Sequence, residues 1–288
     1  MCALSGTSRL VDIGDTQLHV VERGEGYPLL LLHGGPGLDH HEFADYLDPL
    51  GDRHRLILVD QRAQGRSAPC DPATWTLGQM AADVGALARA LELRAYAVLG
   101  HSFGAFVALQ WAVAFPEEPG PAIISSGLPS SRYLERIGDN LRAFEPVELR
   151  DRVAASWARE QEVQTADDVA SLLHDQMPFH FADPRDPRIA DFERRSEGSV
   201  YAPDVLRHFS RAGYGDIDVE NRLGEVRRPV LVLAGRHDRT CVVDGAIATA
   251  GGIPGATLVV FERSAHMAYV EEPERYVDAV RSFLAGSR

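Results

Sequence analysis

Lysine is missing altogether: all 29 basic residues of this 288-residue chain are Arg. That absence removes a Walker-type phosphate loop, a Schiff-base nucleophile, a pyridoxal-phosphate site and a Ser-x-x-Lys dyad together. Cysteine is scarce as well. Cys2, Cys70 and Cys241 are odd in number and show no Cys-x-x-Cys spacing, so neither a disulfide framework nor a zinc cluster is expected, and a reducing cytoplasm suits the chain. No apolar run approaches the roughly 20 residues of a membrane-spanning helix. The first residues lack the basic-then-apolar order of an export signal, so neither insertion nor export is expected. Positive charge is in deficit: 42 acidic residues give a formal net charge of -13, with no Arg-rich stripe, which repels a phosphate backbone and excludes nucleic acid as a partner. A Gly-x-Gly-x-x-Gly segment with a downstream acid is also lacking, so no dinucleotide and no other cofactor is expected.

What remains is ordinary globular composition, 45% hydrophobic and 25% charged. Short β-rich apolar runs alternate with longer stretches of helical periodicity, the pattern of a mostly parallel sheet covered by helices. A hairpin is expected around residues 10–23, then strands at 28–33, 55–60, 95–101, 121–126, 229–235 and 256–261. Leu29, Leu30, Leu31 and Leu32 do not alternate with polar residues, as expected of a strand buried on both faces. Helices are expected at 77–93, 103–115, 242–251 and 273–284. Between about Gly127 and Gly215 the alternation stops: charged helical stretches, Trp157 and the segment Met177-Pro178-Phe179-His180-Phe181 occur without a good strand, and Pro184 and Pro187 mark a turn-rich break. The fold expected is α/β, with residues 1–127 and 215–288 as the core and 128–214 as an inserted helical cap.

Chemistry enters at Gly100-His101-Ser102-Phe103-Gly104, which follows an apolar strand and opens an apolar helix. A sharp strand-to-helix turn needs small residues for close backbone approach, and it pushes the Ser hydroxyl out at the carboxyl end of the sheet. Such a hydroxyl needs a base, and the base an orienting carboxylate. Asp238 lies just past the strand at 229–235 and His266 just past that at 256–261, where open α/β sheets place catalytic groups. His237 is the rival base and Asp244 the rival acid. His237 adjoins the acid too closely to reach Ser102, and Asp244 falls inside an expected helix.

The leucine-rich strand ends in His33-Gly34-Gly35-Pro36-Gly37, and Asp60-Gln61-Arg62-Ala63-Gln64-Gly65-Arg66-Ser67 follows the next strand. Together with the order Ser102, Asp238, His266, these segments resemble an α/β-hydrolase of the proline iminopeptidase type. The resemblance implies that the His-Gly-Gly-Pro-Gly loop supplies one amide of an oxyanion hole. On this chain the donors become the N–H groups of Gly35 and Phe103, with Gly34 the neighbouring alternative; the Phe103 amide also sits at a helix N-terminus. Ala63 stands where the family has Gly, and Asp60 and Arg62 are expected to brace the oxyanion loop. His101 and Phe103 stand where proline iminopeptidases often have Gly and Trp. The insertion corresponds to that family's cap, whose carboxylates hold the substrate's amino group. Glu193 and Glu197 are the candidates, although the stretch 191–197 reads equally as a solvated helix face. Trp157, Met177, Phe179, Phe181, Phe209 and Tyr214 are candidates for an apolar acyl pocket or for packing the cap.

His40-His41-Glu42 reads as the polar start of a helix rather than a metal site, and the acidic run 271–274 as a helix N-terminus. The function expected is that of a cofactor-independent, metal-free serine hydrolase acting on a small molecule or short peptide. An aminopeptidase cleaving N-terminal proline or a small residue leads. A carboxylesterase or lactonase, or a lyase, cyclase or ligand-binding use of the fold, is the alternative.

Overall fold

A computed structural model describes residues 6–118 and 120–287. Cys2 and the first residues of the expected core lie outside the described residues. Eight strands form one sheet: β1 (Gly6–Asp12), β2 (Gln17–Arg23), β3 (Tyr27–Leu32), β4 (His54–Val59), β5 (Ala97–His101), β6 (Ala122–Ser125), β7 (Val230–Gly235) and β8 (Thr257–Phe261), in the order β1-β2-β4-β3-β5-β6-β7-β8. The β1–β2 hairpin and the β2–β4 pair are antiparallel, and every later pair is parallel.

The leucine run explains the layering. Leu30 and Leu32 join Ile57, Val59, Val98, Ile124 and Val232 in the core on one face, whereas Leu29 and Leu31 join Leu56, Leu58, Leu99, Ile123 and Leu231 on the other. Successive strand side chains point to opposite faces, so an unbroken apolar run feeds two cores at once. Helices α1 (Leu77–Ala90) and α2 (Phe103–Ala114) cover the first face. Between β6 and β7 come α3 (Arg136–Arg142), α4 (Val147–Arg159), α5 (Ala166–His180), α6 (Arg188–Arg195) and α7 (Pro203–Arg211), with two small apolar clusters of their own around Val169 and Leu172 and around Phe144 and Val153. Then α8 (Val243–Gly252) returns to the first face, and α9 (Ala268–Glu271) and α10 (Pro273–Gly286) pack on the second. Among the described residues, no helix is long and apolar enough to cross a membrane.

β3 lies between β4 and β5, so consecutive connections leave it in opposite directions. A crevice opens beyond the strand ends at such a point. There the chain approaches itself closely. A Cβ on Gly104 would lie 2.2 Å from the Leu32 carbonyl oxygen, and one on Gly100 would lie 2.0 Å from that of Gly104. Replacing Gly104 by Ala is expected to cost roughly 1–3 kcal/mol through overpacking. The Tm followed by circular dichroism should fall by several degrees, and an unchanged Tm would contradict this packing.

Candidate active site

Ser102 joins β5 to α2 at φ 53° and ψ -118°, a left-handed conformation that costs a non-glycine residue about 1–3 kcal/mol. The turn is locked on both sides: the Ser102 amide donates to Ser125 O at 2.9 Å, and its carbonyl accepts from Ala105 N at 2.9 Å.

Asp238 and His266 follow β7 and β8. His266 Nδ1 lies 2.8 Å from Asp238 Oδ2 and 2.9 Å from Thr240 Oγ1. The other Asp238 oxygen accepts from the amides of Thr240 and Cys241, each at 2.9 Å, and from the Thr240 hydroxyl at 2.8 Å. With Nδ1–H committed to the carboxylate, Nε2 is left with its lone pair. Burial works against the imidazolium, but the Asp238 charge and hydrogen bond prevail and hold the His266 pKa above its ordinary 6.5. Burial likewise opposes the Asp238 charge, and His266 and Thr240 keep its pKa low. Two further imidazoles flank His266, His101 and His180, each with its ring centre 5.0 Å away. Burial keeps both neutral, His180 with a pKa pushed down to about 3. His237 is exposed on the far side of Asp238, and Asp244 is exposed in the first turn of α8.

Ser102 and His266 line one cavity of about 310 Å³, walled by the β3 and β5 loops below and by residues of α4 to α7 above. Gly35 and Phe103 line it too, and their amides have no hydrogen-bond partner among the described residues. The Gly34 amide instead donates to Glu42 Oε2 at 2.5 Å.

The candidates between β6 and β7 fall on different sides of their helices. Leu173, Gln176, Met177 and His180 line the cavity at the i, i+3, i+4, i+7 spacing of one helix face. Phe179 packs instead into a cluster with Phe144 and Val153, while Phe181, past the helix end, joins the core cluster that also holds Phe43 and Tyr269. Both had been candidates for substrate contact, and neither lines the cavity. Phe209 packs edge-on against Phe103, 4.8 Å between ring centres. Trp157 and Tyr214 do line the cavity; so does Glu193, paired with His174 Nδ1 at 2.8 Å, whereas Glu197 is exposed outside it.

The braces differ from expectation. Arg62 turns away from the oxyanion loop to Asp83, at 2.6 and 2.7 Å, and to Asp15. The loop is held by Gln61, whose side-chain amide donates to His33 O at 2.7 Å, and by Gln64, which accepts from Gly37 N at 2.6 Å. Asp60 receives the rings of His19 and His40 at 3.0 and 2.6 Å. Those three groups, and Asp39 with His40 and His41, are close enough to hold a metal ion, but their nitrogens already face carboxylates. Glu271 does more than start a helix. It accepts from Ala265 N at 2.7 Å and Ala182 N at 2.8 Å, tying the His266 loop to the segment that follows α5. Two buried cavity acids had gone unnoticed as such: Glu42, in a short 3-10 turn, and Glu160, held by Tyr214 and Gln176. Burial pushes the pKa of each up to about 7.

Comparison with known proteins agrees with this architecture. A family model for the alpha/beta hydrolase fold matches residues 27–273. A proline iminopeptidase of Lactiplantibacillus plantarum is 30% identical over 269 residues, covering 90% of this chain and 92% of that protein. Among solved structures, an alpha/beta fold family hydrolase from Bacillus anthracis superposes with a TM-score of 0.81 at 22% identity, covering 97% of this chain and 99% of its own. The proline iminopeptidase of Mycobacterium smegmatis superposes with a TM-score of 0.76 at 27% identity, covering 98% of each chain. The chain belongs to the α/β-hydrolase family, and it is a hydrolase.

If His266 acts as the base, it must be neutral, so kcat/KM should rise with pH through an apparent pKa above 6.5. Asp238→Asn should lower the rate about 10³- to 10⁴-fold and move that limb to lower pH. An unmoved limb in the pH–rate profile would contradict the pairing.

Proposed function

We propose that this chain is a serine aminopeptidase-type hydrolase that removes an N-terminal proline or small residue through an acyl-enzyme. Ser102 Oγ attacks the carbonyl carbon while His266 Nε2 takes its proton, and Asp238 holds the imidazole. The oxyanion settles on the Gly35 and Phe103 amides, each donor worth about 10² to 10³ in rate. His266 then protonates the departing amine, and water activated by the same imidazole frees the acyl group. Residues 128–214 act as the cap over this site.

One observation favours an amine-bearing substrate. Among the described residues, the cavity wall carries four acidic side chains, Asp39, Glu42, Glu160 and Glu193, and no Arg, in a chain with 29 Arg residues. A substrate with an anionic acyl group would find no guanidinium there, whereas an ammonium would find carboxylates. The resemblance to proline iminopeptidases points the same way. The apolar wall of Phe106, Leu134, Ile137 and Leu206 also favours a second reading, a carboxylesterase of small acyl groups.

Hydrolysis of proline p-nitroanilide, its N-acetyl derivative and p-nitrophenyl butyrate separates the two. The free-amine anilide is expected to be cleaved at least about tenfold faster than the acetylated one, and Ser102→Ala to abolish cleavage by about 10⁴-fold or more. Ester cleavage with no anilide cleavage would establish the esterase.

A further inference from the structure

The four acids of the cavity are not equivalent. Both Asp39 oxygens are occupied, by the His41 ring and amide, Arg66 and the Val200 amide. Glu160 gives one oxygen to Gln176 at 2.7 Å and the other to Tyr214. Glu193, half-buried, pairs with His174. Only Glu42 is both buried and half-used: Oε2 accepts from Gly34, while Oε1 has no partner among the described residues. Its position is close to the reacting atoms. A Cβ built on Gly34 would lie 2.7 Å from Glu42 Oε1 and 3.0 Å from Ser102 Cβ, so the two are less than 6 Å apart, with only the missing side chain of a glycine between them.

An α-amino nitrogen sits about 2.5 Å from the carbonyl carbon of its own residue, by covalent geometry alone. An acyl group on Ser102 with its oxygen toward Gly35 and Phe103 therefore carries that nitrogen into the space beside the nucleophile. We propose that Glu42, on the core side of the cavity rather than in the cap, is the residue that binds the substrate's α-ammonium through Oε1 and so selects substrates with a free N-terminus. This rests on the amine-substrate reading above and names the group that enforces it. Gly34 is required to be side-chain-free because any Cβ would fill the gap the ammonium occupies. The bond from its amide to Oε2 fixes the carboxylate and joins ammonium recognition to the loop that carries the Gly35 donor. Asp39, on the same loop, and His266, from the loop after β8, are the titratable groups that bear on Glu42; the Tyr269 hydroxyl donates to its backbone carbonyl at 3.2 Å.

The test compares a matched pair of substrates, alanine p-nitrophenyl ester and p-nitrophenyl propionate, which differ only in the amino group. Wild type should prefer the amino ester by at least about tenfold in kcat/KM. Glu42→Gln keeps an acceptor for Gly34 but loses the charge. It should erase that preference, a loss of about 30-fold or more on the amino ester if the pair is fully desolvated, with the propionate rate within about threefold of wild type. Glu42→Asp, which keeps the charge but shortens its reach, should give an intermediate ratio, and it carries the test if the Gln variant fails to fold. Equal loss on both esters would overturn the proposal and leave Glu42 as a brace for the oxyanion loop. A preference that survives in Glu42→Gln but vanishes in Glu160→Gln or Glu193→Gln would overturn it while sparing the amine-substrate reading. A wild type with no preference would overturn both.

Discussion

The site depends on one close approach, that of Gly104 beneath the carbonyls of Leu32 and His33. Because no side chain separates them, the start of α2 presses against the end of β3. Ser102, the Phe103 amide and the Gly35 loop then open onto the same cavity, although they come from two different strand ends. The strained Ser102 backbone is the cost of this arrangement, met by the bond to Ser125 and the first turn of α2. Without the approach, the proposed nucleophile and oxyanion donors would have no common centre.

The other half of the site is tied to the helical segment between β6 and β7. Arg239, next to Asp238, donates to the carbonyls of Phe179, Phe181 and Ala182. The His266 amide donates to His180 O at 3.0 Å, and Glu271 joins Ala182 to Ala265. Residues 179–182 are thus hydrogen-bonded to the loops bearing both the proposed acid and the proposed base.

Much of this was legible in the chain because the physics is local. Aliphatic runs such as 29–32 give buried strands whatever their neighbours, and Ser102 sits between a strand and a helix marked by glycines at both sides. Asp238 and His266 were reachable because strand ends in an open sheet gather at one edge. Partner choice was not legible. Arg62 pairs with Asp83 on α1, a match decided by packing, and tertiary packing alone sorts the candidates of 177–181 into Met177, which lines the cavity, and Phe179 and Phe181, which pack elsewhere. Glu42 and Glu160 sit in polar stretches that read as solvated, and only the fold buries them.

The central claim is that Ser102 is the nucleophile of this cavity. Fluorophosphonate labelling followed by peptide mapping tests it most directly. The account predicts a single adduct on Ser102, formed in step with loss of hydrolytic activity and absent from Ser102→Ala. Labelling of another residue, or an active protein that the reagent does not modify, would contradict it.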